Sequence, residues 1–152
     1  MTIKVGDKLP SVKLRQMTAE GPKEVSTDEL FAGKKAVLFA LPGAFTPTCS
    51  AKHVPGFVQH YDEFVKKGVG LIACLSVNDA FVMGAWGKDQ KADGNADFTK
   101  AVELGFDASG FGLGYRSQRY AMVLEDGVVK VLNVEKPGSF EASKAETILE
   151  AL

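Results

Sequence analysis

Scarcity sets the first limits on this chain. Among its 152 residues are two cysteines, two histidines, one tryptophan and six prolines, and 18 basic residues nearly cancel 19 acidic ones to leave a formal charge of -1. Two cysteines do not make a disulfide scaffold in a chain long enough to bury its own core, so a reducing, cytoplasmic setting is expected; an organellar transit peptide already removed would leave the same sequence. A charge near zero gives no field to attract nucleic acid or an anionic membrane, so neither is expected as a partner. The start, Met1-Thr2-Ile3-Lys4-Val5-Gly6-Asp7, lacks an apolar signal core. No run approaches the roughly 20 apolar residues that span a bilayer. The length is that of one domain, and a single domain over 1–152 is expected.

Apolar residues do recur in two periods. Lys35 to Leu41 reads Lys-Ala-Val-Leu-Phe-Ala-Leu, the pattern of a strand buried on both faces, and Pro42-Gly43 ends it. Before it, Ser26 and Glu29 are spaced as a capping box for a short helix stopping near Gly33. After it, Val54, Phe57, Val58, Tyr61, Phe64 and Val65 recur at helical spacing. They predict one long helix from Pro47 to about Lys67, kinked at Pro55 and stopped at Gly68. Val69 to Val77 reads as a second buried strand, parallel to the first.

Further along, Asn78 or Asp79 can cap a helix over Ala80 to Trp86, and Asp97 to Leu104 is expected to form another. Arg119–Leu124 and Val128–Val134 flank Glu125-Asp126-Gly127, a hairpin signal. Ser139 to Leu152 reads as a closing helix. The sum is an α/β chain with a mixed sheet.

One segment carries chemistry. Pro is favoured at the first helical position and pushes its predecessor out of helical geometry, so Thr46-Pro47-Thr48-Cys49 places Thr46 as N-cap and Cys49 at the third helical position. There, unpaired backbone N–H groups and the positive end of the helix dipole favour a thiolate. The spacing alone leaves two readings open: an activated nucleophile, or an ordinary buried small residue behind a capping threonine.

The stretch Pro42-Gly43-Ala44-Phe45-Thr46-Pro47-Thr48-Cys49-Ser50 closely resembles the active-site loop of peroxiredoxins, in the pattern Pro, three residues, Thr, two residues, Cys. It is most similar to the atypical type II (peroxiredoxin-5-like) group. So are Ala73-Cys74-Leu75-Ser76-Val77-Asn78-Asp79, Phe81-Val82 and Ala85-Trp86, in order and spacing over nearly the whole chain. The resemblance implies a thioredoxin-like fold, a mixed central sheet flanked by helices, and reduction of hydrogen peroxide or organic hydroperoxides. It implies Cys49 as the cysteine oxidised to sulfenic acid. Pro42 would shield the sulfur, Thr46 would hydrogen-bond the peroxide, and Arg119 would hold both thiolate and peroxide. It further implies no metal or organic cofactor, glutathione with glutaredoxin or else thioredoxin as reductant, and a homodimer with Phe45, Phe81 and Gly110–Gly114 as candidate contacts.

A general balance shows why partners around a sulfur matter. A thiol whose pKa falls from roughly 8.5 to about 6 gains about thirty-fold in thiolate at neutral pH but loses roughly ten-fold in nucleophilicity. Positioning and charge stabilisation must supply the rest.

The other candidates are weaker. Arg119 without the resemblance reads as a solvated edge residue or a member of a structural ion pair; Arg116, nearby, reads equally as surface charge and is left out of the catalytic set. His53, four residues after Cys49, invites a cysteine–histidine hydrolase reading, but no oxyanion hole or orienting group is identifiable, and the resemblance makes His53 a residue flanking the pocket. His60 reads as a surface residue. Cys49 and Cys74 form no Cys-x-x-Cys pair, which argues against a metal site. Cys49-Ser50-Ala51-Lys52 also lacks the second thiol of a disulfide exchanger. Gly110-Phe111-Gly112-Leu113-Gly114 reads as a loop beside the active site rather than a nucleotide cradle. Cys74 reads as an inert strand residue. The animal members of the atypical group carry a C-terminal resolving cysteine, and Gly138–Lys144 here contains none. A non-enzymatic peroxide sensor is the remaining alternative.

Overall fold

A computed structural model describes residues 2–90, 94–95 and 104–152; the expected helix at 97–104 falls almost wholly outside them. The run from Lys35 forms β3 (Lys35–Ala40), and its continuous apolarity has a direct cause. Val37, Phe39 and Leu41 enter one buried cluster, with Cys49, Phe57, Phe64, Trp86 and Ile148. Ala36, Leu38 and Ala40 enter another, with Leu14, Phe31, Tyr120, Met122 and Leu124. A strand covered on both faces has no polar side to show.

β3 lies inside a five-stranded sheet of order β5-β4-β3-β8-β9, built from β4 (Leu71–Leu75), β5 (Gly94–Asn95), β8 (Tyr120–Glu125) and β9 (Val128–Val134). It runs parallel to β4, with Phe39 beside Cys74, and antiparallel to β8, with Ala40 beside Tyr120. The mixed sheet is therefore as expected. The β8–β9 hairpin turns on Asp126 and Gly127, both at positive φ (50° and 74°). These are the backbone angles for which Asp-Gly is selected in two-residue turns. Asp126 also accepts the Gly33 N–H at 2.7 Å, tying the turn to the end of α1 (Thr27–Phe31), whose capping box between Ser26 and Glu29 is complete.

The long helix expected over Pro47–Lys67 is instead three pieces. Helical geometry opens at Pro47 and widens into a π-helical turn, Cys49–His53, in which the Val54 N–H reaches the Cys49 carbonyl. α2 (Val54–Gln59) follows, the chain breaks at His60 (φ -94°, ψ 11°), and α3 (Tyr61–Lys66) completes the segment. Pro55 accounts for the widening. It has no N–H to give and its ring would meet the carbonyl four residues earlier, so the turn before it expands rather than kinking at the proline itself.

α4 (Ala80–Gln90) is capped by the Asp79 carboxylate, which accepts the Val82 N–H at 2.9 Å, and runs one turn beyond the expected end at Trp86. The closing helix is shorter than expected. Only α5 (Ala145–Glu150) is helical, because upstream backbone groups are taken by side chains. Glu135 accepts from the Glu141 and Ser143 N–H groups and the Ser143 hydroxyl, and Asn133 donates to the Ala142 carbonyl. Two hairpins were not foreseen: β1 (Lys13–Thr18) with β2 (Gly21–Ser26), and β6 (Gly105–Asp107) with β7 (Tyr115–Ser117).

Candidate active site

β3 ends where Pro42, lacking an N–H, cannot extend the ladder beyond the last bond from the Leu41 N–H to the Leu75 carbonyl. The chain then turns through Gly43, Ala44 and Phe45 into the helix bearing Cys49. Phe45 sits at φ 60°, a conformation a non-glycine residue adopts only at a cost of order 1–3 kcal/mol. The Ser50 N–H bonds the Thr46 carbonyl at 3.0 Å, so Thr46 does occupy the N-cap position. Its side chain does something else than cap: the hydroxyl donates to the Gly43 carbonyl at 2.7 Å. With its proton committed there, the oxygen presents lone pairs.

Cys49 is fully buried. Arg119, the residue just before β8, donates from Nη2 to the Cys49 Sγ at 3.2 Å, bringing together two residues 70 positions apart. The guanidinium is aimed from behind. Its Nη1 donates to His53 Nδ1 at 2.8 Å, and His53 Nε2 donates to the Ser143 carbonyl at 3.1 Å. A guanidinium can only donate and a carbonyl can only accept, so the imidazole is neutral with its proton on Nε2. Burial, then the Arg119 cation, pushes the His53 pKa down to about 3, against the smaller opposing pull of the Ser143 carbonyl. Phe39 and Phe140 pack on the ring at 5.0 and 5.1 Å between centroids, and Phe140 also lies 5.7 Å from the Arg119 guanidinium carbon.

His53 is therefore more than a flanking residue. It orients Arg119, and with both nitrogens occupied it has no free base to offer a hydrolase. The signal for this was faint: a histidine four residues after the cysteine, whose arginine partner is 66 residues away. Arg116 is also structural, donating from Nε to the Leu113 carbonyl at 2.9 Å. His60 sits between Glu63 and Glu146, at 2.7 and 3.3 Å.

Beside Arg119 opens a cleft of about 950 Å³, lined among others by Pro42, Thr48, Phe111, Phe140 and Lys52. Pro42 is half-buried at its wall. The glycine-rich segment does border it, through Phe111. Among the described residues no group of three or more His, Cys, Asp or Glu side chains could hold a metal ion, and no helix is long and apolar enough to cross a membrane.

Cys74 shares the Cys49 cluster but is a free, buried thiol, as is Cys49. Burial, and secondarily the nearness of Cys49, drive its pKa far up, which favours the protonated thiol.

Comparison with known proteins identifies the family of the whole chain. Residues 4–149 match the Redoxin family. The chain is 52% identical over 164 residues to peroxiredoxin-2E-2, chloroplastic, of Oryza sativa subsp. japonica, covering 99% of this chain and 73% of that protein. Among solved structures, reduced Prx3 in complex with H2O2 from Vibrio vulnificus is 56% identical with a TM-score of 0.94, covering 99% of each chain. A Burkholderia cenocepacia protein described as a putative thioredoxin reductase is 48% identical with a TM-score of 0.97, covering 100% of this chain and 99% of its own. These likenesses, over nearly the whole chain and on the same architecture, place this chain in the peroxiredoxins, enzymes that reduce peroxides at the expense of thiols.

Proposed function

We propose that Cys49 Sγ attacks the nearer oxygen of a hydroperoxide, with Arg119, Thr46 and Pro42 completing the catalytic set. The Arg119–Cys49 contact at 3.2 Å, with His53 fixing the other guanidinium nitrogen, carries this reading. As the S–O bond forms and the O–O bond breaks, negative charge passes from sulfur to the departing oxygen. A fixed cation touching the sulfur stabilises that charge without reorganising. The Thr46 lone pairs accept the O–H of the incoming peroxide, and Pro42 covers the reacting sulfur from bulk water. The departing oxygen takes up a proton and leaves as water or an alcohol, and Cys49 becomes a sulfenic acid. A thiol then attacks that sulfur, releasing water and leaving a mixed disulfide, and a second thiol restores Cys49.

Both hydrogen peroxide and organic hydroperoxides are proposed substrates, since the cleft beside Arg119 is far larger than hydrogen peroxide requires. For the reductant we propose an external thiol, glutathione with glutaredoxin or thioredoxin, because Cys74 is held as a buried thiol. A type II assignment is supported by relatives such as peroxiredoxin-2B of Arabidopsis thaliana, 46% identical over 159 residues, 99% of this chain and 98% of that protein. A single domain over 1–152, a homodimer formed at Phe45, Phe81 and the Gly110–Gly114 loop, and a reducing, cytoplasmic setting complete the proposal; exposed Phe45, Phe81 and Phe111 support the dimer. Two relatives are named chloroplastic, so organelle fractionation of the source cells is the test of location.

Steady-state reduction of peroxide by wild type and by Cys49→Ser tests the core of the reading. Turnover confined to wild type supports it, and appreciable turnover in the variant overturns it. Running wild type in parallel with glutathione plus glutaredoxin and with thioredoxin ranks the reductants.

A further inference from the structure

The turn between β3 and Cys49 is held at one point from outside. Asn78, at the junction of β4 and α4, uses its Oδ1 to accept the Ala44 N–H at 2.9 Å and the Ser76 hydroxyl at 2.7 Å. Its neighbour Asp79 caps α4, so Asn78 stands on a fixed helix start. The Ala44 N–H and the Gly43 carbonyl belong to the same peptide plane, and that carbonyl is the acceptor of the Thr46 hydroxyl proton at 2.7 Å. Gly43 is buried, and a Cβ there would stand 3.4 Å from both Arg116 Nη1 and Thr46 Cγ2 and 3.7 Å from Asn78 Oδ1, so the plane is closely surrounded. The next residue, Phe45, is the one at φ 60°. A strained turn keeps its shape only where its surroundings over-determine it.

We propose that Asn78 is a positioning residue for peroxide reduction, acting through the Gly43–Ala44 peptide on the Thr46 hydroxyl. Holding the N–H end of the plane fixes its carbonyl end toward Thr46. Thr46 must then donate to Gly43, and its lone pairs stay available to the hydroperoxide O–H. A flipped plane would present an N–H to Thr46 instead, occupying the acceptor the peroxide needs. The inference rests on Thr46 receiving the peroxide, as proposed above.

The test compares two rates for Cys49, with hydrogen peroxide and with iodoacetamide, which alkylates sulfur without needing a hydrogen-bond acceptor for an O–H. Asn78→Ala is expected to lose about ten-fold or more with peroxide and less than about three-fold with iodoacetamide, the loss being one of orientation. Asn78→Asp keeps the acceptor oxygen and should hold the peroxide rate within about three-fold of wild type. Adding Asn78→Ala to Thr46→Val should cost less than about two-fold more, because residues acting through one hydroxyl are not additive. An unchanged peroxide rate in Asn78→Ala, a parallel loss with both reagents, or a multiplicative double variant overturns the proposal. Should Asn78→Ala not fold, Ser76→Ala, which removes the hydroxyl aiming the amide oxygen, carries the same comparison: a peroxide-selective loss supports the proposal and an unchanged rate overturns it. If Thr46→Val itself matches wild type, the hydroxyl role fails and takes this inference with it. If Thr46→Val is slow while Asn78→Ala is not, only the Asn78 role fails.

Discussion

His53 is held uncharged in a fully buried niche, bonded on one side to a cation and on the other to a carbonyl. Its folded pKa of about 3 lies below the ordinary 6.5, so between those values the unfolded chain binds a proton that the folded chain does not. Stability therefore falls as pH drops from 6.5 toward 3, at up to about 1.4 kcal/mol per pH unit. Other groups act elsewhere. Glu29, Asp107 and Glu141 have lowered pKa values and lose stabilisation only below their ordinary carboxylate range, while His60, raised by Glu63, loses its contribution as pH rises above 6.5. Denaturant titrations between pH 4.5 and 6.5 should show the slope, and His53→Gln, which cannot titrate, should flatten it; a slope unchanged in the variant would assign it to other groups. For Arg119→Ala, stopped-flow oxidation should slow on the order of a hundred-fold or more; a loss under about three-fold would return Arg119 to a structural role. Thr46→Val should slow peroxide reduction while Thr46→Ser retains it. The stability cost in Thr46→Val comes from the lost bond to the Gly43 carbonyl rather than from a side-chain cap.

At the scale of elements, legibility followed the range of the cause. The capping box at Ser26, the buried run of β3 and the Asp126-Gly127 turn are written in adjacent residues, and all three stand in the structure as read. Gly127→Ala is expected to destabilise by about 1 kcal/mol by chemical denaturation, since φ 74° strains a side chain; no change would mean the turn relaxes freely. Less was legible where distant groups decide. The widened turn at Cys49–His53 follows from Pro55, but its consequence, placing both Cys49 and His53 against Arg119, depends on a strand far along the chain. The segment before α5 carries a helical pattern, yet Glu135 takes two of its N–H groups. The hairpin β1–β2 buries only Leu14 and otherwise pairs exposed and half-exposed residues, so it shows no strong alternation.

For the whole molecule, the two cysteines belong to one apolar cluster but to different elements, one at a helical turn and one in a strand. A disulfide between them needs α-carbons within about 7 Å and Cβ atoms facing each other. Drawing Cys74 out of β4 would also disturb packing around Leu75. Cys74→Ser should therefore retain turnover with glutathione and glutaredoxin; lost turnover, with an intramolecular disulfide in wild type, would make Cys74 the resolving thiol. Phe45, Phe81 and Phe111, 58%, 68% and 84% exposed, are the apolar groups expected to be covered in a dimer. Sedimentation at micromolar concentration should give a dimer mass, and strict monomer behaviour would contradict that assembly.

The central claim is that one sulfur takes the oxygen from the peroxide. Wild-type protein treated with one equivalent of hydrogen peroxide in the presence of dimedone, which traps sulfenic acids, should carry the adduct on the peptide containing Cys49 and not on the peptide containing Cys74. An adduct on Cys74, or peroxide consumed with Cys49 left unmodified, would contradict the account.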